Sequence, residues 1–309
     1  MSDSIALMTE GLHKSYGRVV ALRGVDLEVR QGEIFGFLGP NGAGKTTTIR
    51  CLLDLIRPDS GTLRVLGMDP QADPVGVRAR TGYLPGELNL DANLRVREVL
   101  RYFSQLRGAK MDWSQVPRLA QRLDLDLETP VKNLSKGNKQ KVGVVQALMP
   151  QADLLLLDEP TSGLDPLMQQ QVHRMLREAC AGGATVFFSS HIISEVEALA
   201  EHVAIIRDGR IVEVAEPGRL VAMTLRRLHI RFQQPVDVAP LARIEGVSLV
   251  GAADRNGMHV TVQVEGEVDR LIKALAAFPV RDLETEHPSL EEVFLAYYQT
   301  GKAAGQEDH

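Results

Sequence analysis

Three short stretches carry residue types whose spacing suits chemistry on a phosphate. GPNGAGKT, Gly39 to Thr46, fits G-x-x-x-x-G-K-[ST]. Gly39, Gly42 and Gly44 let backbone N–H groups turn toward the β- and γ-phosphates of a nucleotide, with Pro40, Asn41 and Ala43 completing the loop. Lys45 supplies a point charge, and the Thr46 hydroxyl can ligate a magnesium ion. LLLLDEPTSGLD, residues 154 to 165, is an apolar run ending in two acids. Asp158 can hold Mg²⁺, while Glu159 can orient and polarise an attacking water. Adjacent carboxylates repel each other unless a cation or proton intervenes, which itself argues for a metal. TVFFSSH places His191 just after another apolar run, where a neutral imidazole can hydrogen-bond a γ-phosphate. A purely structural histidine fits that position too, and the residues alone leave both readings open.

These side chains need a scaffold that gathers them on one edge. From residue 1 to about 220, short β-rich runs (34–38, 154–157, 185–189, 203–206) alternate with helical patterns, which predicts an α/β domain with a largely parallel sheet. In such a sheet ligands sit at the carboxyl ends of the strands, so the acids project beside the phosphate loop. The apolar run IFGFL precedes that loop and the helical pattern TTIRCLLDLI follows it, the context the motif requires. PLMQQQVHRMLREACAGG reads as a helix capped by Asp165, with Pro166 in its first turn, a stripe of Met168, Val172, Met175 and Ala179, and Gly182 at its end.

After about residue 222 the texture changes. LHIRF, VSLVG and MHVTVQV alternate, two helical segments follow, and Ser289 with Glu292 forms a capping box for the last. The expected organisation is therefore an α/β nucleotide-binding domain over 1–222, a small α+β domain over 223–300 and a loose tail over 301–309.

The chain has 309 residues, 44% hydrophobic and 24% charged, with a net charge of −5. Those are globular averages without a global basic field, which argues against nucleic acid as the main partner. Cys51 and Cys180 lack metal or C-x-x-C spacing, and reduced thiols of a cytoplasmic protein are expected. The N-terminal stretch has no basic start before an apolar run, so no signal peptide is expected, and no stretch approaches the ~18 apolar residues of a membrane span. LSKGNKQK, residues 134–141, has three lysines and no acid, so a basic patch, a solvated helix face and part of a nucleotide site all compete for it.

Taken together the stretches resemble the ATP-binding subunit of an ABC transporter, a P-loop NTPase fold with a helical subdomain, here over about 86–150. Tyr16 matches the aromatic adenine platform, GPNGAGKTT (Gly39 to Thr47) Walker A, LSKGN the signature, LLLLDEP Walker B, SGLD the D-loop and His191 the switch. The resemblance implies ATP and Mg²⁺ as cofactors, with Thr46 and Asp158 at the metal and Glu159, His191 and Lys45 catalytic. It also implies a homodimer that closes head to tail, so that Ser135 and Gly137 of the signature meet ATP held by the other copy and Asp165 lies at the seam. A separate integral membrane permease and a place at the cytoplasmic, inner face of the cell membrane follow from the same likeness. The C-terminal extension ending in HPSLEEVFLAYY is similar to drug- and antibiotic-efflux ATPases of the daunorubicin-resistance type, whose cargo is drug or lipid-like. An importer subunit, or a soluble ATPase of this family acting on nucleic acid or ribosomes, is the alternative.

Three positions, in two motifs, depart from the family pattern. Gly86 stands where a glutamine is usual, with Glu87 beside it as a possible substitute. Lys136 and Asn138 replace a glycine and a glutamine in the signature. Lys136 either reaches the nucleotide of the closed dimer or is solvated, while Lys139 and Lys141 read as solvated.

Overall fold

A computed structural model describes residues 4–107, 112–217, 226–250, 257–265 and 267–286. The chain divides into two compact units, Met1–Glu216 and Pro217–His309, a few residues ahead of the 222 read from the change in texture.

The first unit is built on two sheets. β1 (Ile5–Tyr16), β2 (Val19–Arg30) and β4 (Ser60–Val65) form an antiparallel sheet in the order β2-β1-β4. Sequence reading did not anticipate this long hairpin. Its register shifts between Thr9 and Leu12 and again between Lys14 and Ser15, so bulges break the alternation that signals a strand. The larger sheet contains β3 (Ile34–Leu38), β5 (Thr81–Leu84), β6 (Leu154–Asp158), β7 (Thr185–Ser190), β8 (His202–Arg207) and β9 (Arg210–Ala215). Its order is β5-β6-β7-β3-β8-β9, parallel apart from the β8–β9 pair.

β3, β6 and β7 are buried at every position, as expected for central strands covered on both faces. Phe187 stacks on Phe35 at 5.9 Å and leans on Phe37 at 5.3 Å, fixing the spacing of β7 and β3. Helices α1 (Lys45–Leu52), α2 (Pro74–Ala79), α3 (Val96–Leu106), α4 (Gln115–Arg122), α5 (Lys136–Leu148), α6 (Pro166–Ala181) and α7 (Ile193–Leu199) complete the unit.

Asp165 caps α6 through Oδ1, which accepts from the N–H groups of Leu167 and Met168. Val172, Met175 and Leu176 of that helix are buried, and Gly182 ends it. α5 packs against β5, α4 and α3 at once, so it is buried from Gln140 to Met149. This corrects the reading of Lys141 as solvated. Lys141 is 9% exposed, its stem covered by neighbours on several sides, whereas Lys139 is exposed.

In the second unit β10 (Arg226–Phe232), β11 (Val247–Leu249), β12 (His259–Val264) and β13 (Val280–Glu286) form an antiparallel sheet in the order β11-β12-β10-β13. Leu228, Ile230 and Phe232 alternate inward and meet Val260, Val262 and Val264, and α8 (Asp269–Leu275) adds Leu271 and Leu275. The Ser289–Glu292 capping box and the tail lie outside the described residues.

Candidate nucleotide-phosphate site

The carboxyl ends of β3, β6 and β7 meet at one edge of the parallel sheet. A cavity of 480 Å³ opens there, lined by Asn41, Gly42, Gly44, Lys45, Thr46 and Thr47 of the loop and by Asp158 and Glu159. Ala21, Arg50, Gly86 and Glu87 complete the lining. A hollow of 540 Å³ near the amino ends of β6 and β7, bounded by Arg122, Asp153 and Gly183, has no phosphate loop beside it.

The loop has its shape for local reasons. Gly44 has φ of +112°, and a Cβ there would stand 2.8 Å from the carbonyl oxygen of Ala21, so only glycine fits. Gly44 is also the N-cap of α1 and offers no side-chain acceptor, which leaves the first-turn N–H groups for an anion. Gly39, Pro40 and Ala43 do not line the cavity but hold its wall. Gly39 donates its N–H to Ser190, while the Ala43 N–H donates to the Pro40 carbonyl.

Lys45 is nearly buried and donates to the carbonyl oxygens of Gly39, at 2.6 Å, and Pro40, at 3.2 Å. Burial pushes its ammonium pKa down, and the neighbouring Glu159 and Asp158 carboxylates oppose that shift.

The two acids are held differently. Asp158 is 1% exposed and accepts from Thr46 Oγ1 at 2.6 Å through Oδ2 and from Ser189 Oγ at 2.5 Å through Oδ1. Glu159 follows in a left-handed conformation, φ 51°, which costs a non-glycine residue ~1 kcal/mol or more. Three contacts hold it there. Its N–H donates to Ser189 Oγ, its carbonyl accepts from Gln140 Nε2 at 2.8 Å, and the Ser162 N–H closes a turn back onto the same carbonyl. Its Oε1 stands 3.0 Å from Nδ1 of His191 and 3.7 Å from Lys45 Nζ. A carboxylate can only accept, so the His191 proton belongs on Nδ1 in this arrangement. A hydroxyl, Thr46, and a carboxylate, Asp158, thus converge on one point, an oxygen donor set suited to a hard cation that keeps waters and phosphate oxygens as its other ligands. Among the described residues no group of three or more His, Cys, Asp and Glu forms a closed metal cage.

Not every residue named from the sequence gathers here. Tyr16, at the end of β1, is 46% exposed with Lys14 Nζ 5.8 Å from its ring centre, and it does not line the cavity. Ser135, Gly137 and Asp165 do not line it either. Ser135 is the N-cap of α5, its Oγ accepting from the Asn138 N–H. A Cβ on Gly137 would stand 2.6 Å from the Gly163 carbonyl oxygen, and the exposed Lys136 runs its stem along Gly163. The signature and the D-loop are therefore packed together within one chain. Ser189 and Gln140 were missed by sequence reading. Two serines ending the apolar run TVFFSS, and a glutamine on the buried side of a basic helix, are the signals that point to them.

Comparisons with known proteins bear on the family and the fold. The sequence profile of the family described as ABC transporter matches residues 22–162. The daunorubicin resistance ATP-binding protein DrrA3 of Streptomyces coeruleorubidus is 32% identical over 304 residues, 96% of each chain. The Nod factor export ATP-binding protein I of Ralstonia nicotianae is 37% identical over 219 residues, 70% of this chain and 68% of that one. A solved structure, the ATP binding subunit of an ABC transporter, superposes with a TM-score of 0.64 at 29% identity, covering 70% of this chain and 91% of the other.

Proposed function

The chain belongs to the ABC transporter family, and we propose that it is the ATP-hydrolysing subunit of an exporter whose membrane-spanning part is a separate chain. The observation that carries the proposal is the convergence of Lys45 and His191 on Oε1 of Glu159, a residue that lines the phosphate cavity together with Lys45. ATP binding exposes the triphosphate to the Gly42–Thr47 amides and to Lys45, whose ammonium exchanges loop carbonyls for phosphate oxygens. Thr46 and Asp158 would hold Mg²⁺, which would supply positive charge to offset that of the phosphates. Glu159 orients the attacking water and accepts its hydrogen bond. His191, anchored through Nδ1, keeps that carboxylate aimed and turns Nε2 toward the γ-phosphate. Tyr16 receives the adenine.

The same proposal assigns a homodimer around two ATP. Ser135, Gly137 and Asp165 stand outside their own chain's cavity, which accords with their serving the nucleotide held by a second copy. Export, with drug-like, antibiotic or lipid-like cargo, is supported by what DrrA3 and the Nod factor protein are named for, and by DrrA3 matching the C-terminal unit as well. Among the described residues no helix is long and apolar enough to cross a membrane, and the proposed place is the inner membrane face, against the permease.

Turnover of ATP by the purified chain tests the enzymatic part. Lys45→Ala is expected to weaken ATP affinity by roughly ten- to hundred-fold, the range for losing a charge-assisted contact. Unchanged affinity in that variant contradicts the phosphate-site assignment. Purification of the chain from membranes with an associated polytopic protein tests the exporter part, and recovery of the chain alone contradicts it.

A further inference from the structure

Glu195 plays no part in the mechanism above, yet its carboxylate is buried, 9% exposed, between two of the site's loops. It lies in the first turn of α7, where an acid commonly reaches back to cap the helix. Here it points inward instead. Oε1 accepts from Thr161 Oγ1 at 2.6 Å and Oε2 from Ser190 Oγ at 2.6 Å. Thr161 and Ser190 are themselves 2% and 1% exposed.

Both hydroxyls lie within two residues of the Glu159–His191 pair to which the proposed mechanism gives the attacking water. Ser190 directly precedes His191, and its Oγ also accepts from the Ile192 N–H at 3.0 Å, spanning the backbone of His191. A serine has one hydroxyl proton. The short bond to Glu195 takes it, so the lone pairs face Ile192, and the 3.4 Å approach to the Ile192 carbonyl cannot compete. Thr161 lies two residues after Glu159, and its carbonyl accepts from the Leu164 N–H, within the turn that leads to Asp165. The nearby His173 has its pKa pushed down by burial, against the pull of Glu195, so burial disfavours its charged form.

We propose that Glu195 is a positioning residue that locks the loop carrying Glu159 to the strand end carrying His191, so that the 3.0 Å contact between those two side chains is set by one buried carboxylate. This rests on the reading of the site as an ATPase centre. Two hydrogen bonds from one carboxylate to separate loops transmit a shift of either loop to the other, because both hydroxyls are buried and the 2.6 Å bonds to Glu195 are their shortest.

The test measures ATP affinity and ATP turnover separately in the full-length chain. Glu195→Ala is expected to leave ATP affinity within about two-fold while turnover falls roughly ten- to hundred-fold, the scale of misplacing a reacting group by about an ångström. Glu195→Gln, which keeps one acceptor and lets the other hydroxyl accept from its amide, is expected to recover most of that turnover. In the double variant Glu195→Ala with His191→Ala, turnover is expected to equal that of His191→Ala alone, since a residue that acts by setting the contact between Glu159 and His191 has no contact left to set. A general loss of structure would instead add to the histidine's effect. Should Glu195→Ala fail to fold, Thr161→Val and Ser190→Ala each remove one of the two bonds, and both are expected to lower turnover with affinity kept. Wild-type turnover in Glu195→Ala, additive loss in the double variant, or wild-type turnover in both hydroxyl variants overturns the inference. The ATPase reading itself stands or falls on wild-type and His191→Ala turnover, which none of those outcomes alters.

Discussion

Nδ1 of His191 lies 3.0 Å from Oε1 of Glu159, and the same oxygen is 3.7 Å from the Lys45 ammonium. One carboxylate oxygen is thereby shared between a group that fixes direction and a group that balances charge. The arrangement also answers the repulsion expected between Asp158 and Glu159. Their carboxylates are directed apart, Asp158 to Thr46 and Ser189, Glu159 to His191 and Lys45.

His191→Ala is expected to lower ATP turnover by roughly 10²-fold, at the low end for loss of a group that aligns proton transfer. Since His191 is absent from the cavity lining, ATP affinity is expected to change little. Steady-state turnover alongside equilibrium nucleotide binding separates the two effects, and a loss confined to affinity argues against the role given to His191.

Gly86→Gln restores the amide usual in this family, and the structure expects it to do harm. A Cβ at Gly86 would stand 2.9 Å from Oδ2 of Asp158, an atom already fixed by Thr46. Asp158 must shift, and the Mg²⁺ concentration needed for half-maximal ATP turnover is expected to rise several-fold, one methyl-sized clash being worth ~1 kcal/mol or more. An unchanged Mg²⁺ requirement shows that Gly86 is not confined by the Asp158 carboxylate.

The altered signature gives a paired test. Gly137→Ala places a Cβ 2.6 Å from the Gly163 carbonyl oxygen, and a loss of ~1–3 kcal/mol in unfolding free energy is expected from that overpacking. Lys136→Ala leaves the backbone alone and removes only a stem lying along Gly163 with its charge. If Lys136 screens the partner's nucleotide, ATP-dependent dimerisation weakens while monomer stability stays within ~0.5 kcal/mol, the usual range for a surface change. Equal dimerisation in the variant and the wild type assigns the lysine to solvent and to packing on Gly163.

What the sequence made legible follows from how local each signal is. The phosphate loop, the acid pair and the strand ahead of each are contiguous, and β3, β6 and β7 appear as the apolar runs anticipated. The hairpin of β1 and β2 escaped notice because its bulges destroy strict alternation, and β13 because VRDLETE is mostly charged. Lys141 was misread since its burial comes from β5, α3 and α4, segments remote in sequence. Ser189, Gln140 and Glu195 went unassigned for the same reason, since a residue type at a strand end or on a helix does not name its distant partner. Their importance lies in bonds reaching 31, 19 and 34 residues along the chain, to Asp158, Glu159 and Thr161.

In the proposed mechanism Glu159 drives hydrolysis in a dimer closed around ATP. Glu159→Gln keeps the side chain's size and the strained backbone of position 159, so it changes little beyond the carboxylate charge. With saturating ATP and Mg²⁺, size-exclusion chromatography with light scattering is expected to find this variant as a stable dimer that hydrolyses ATP at least ~10²-fold more slowly than the wild type. A variant that binds ATP yet remains monomeric, or that turns it over at the wild-type rate, contradicts the account.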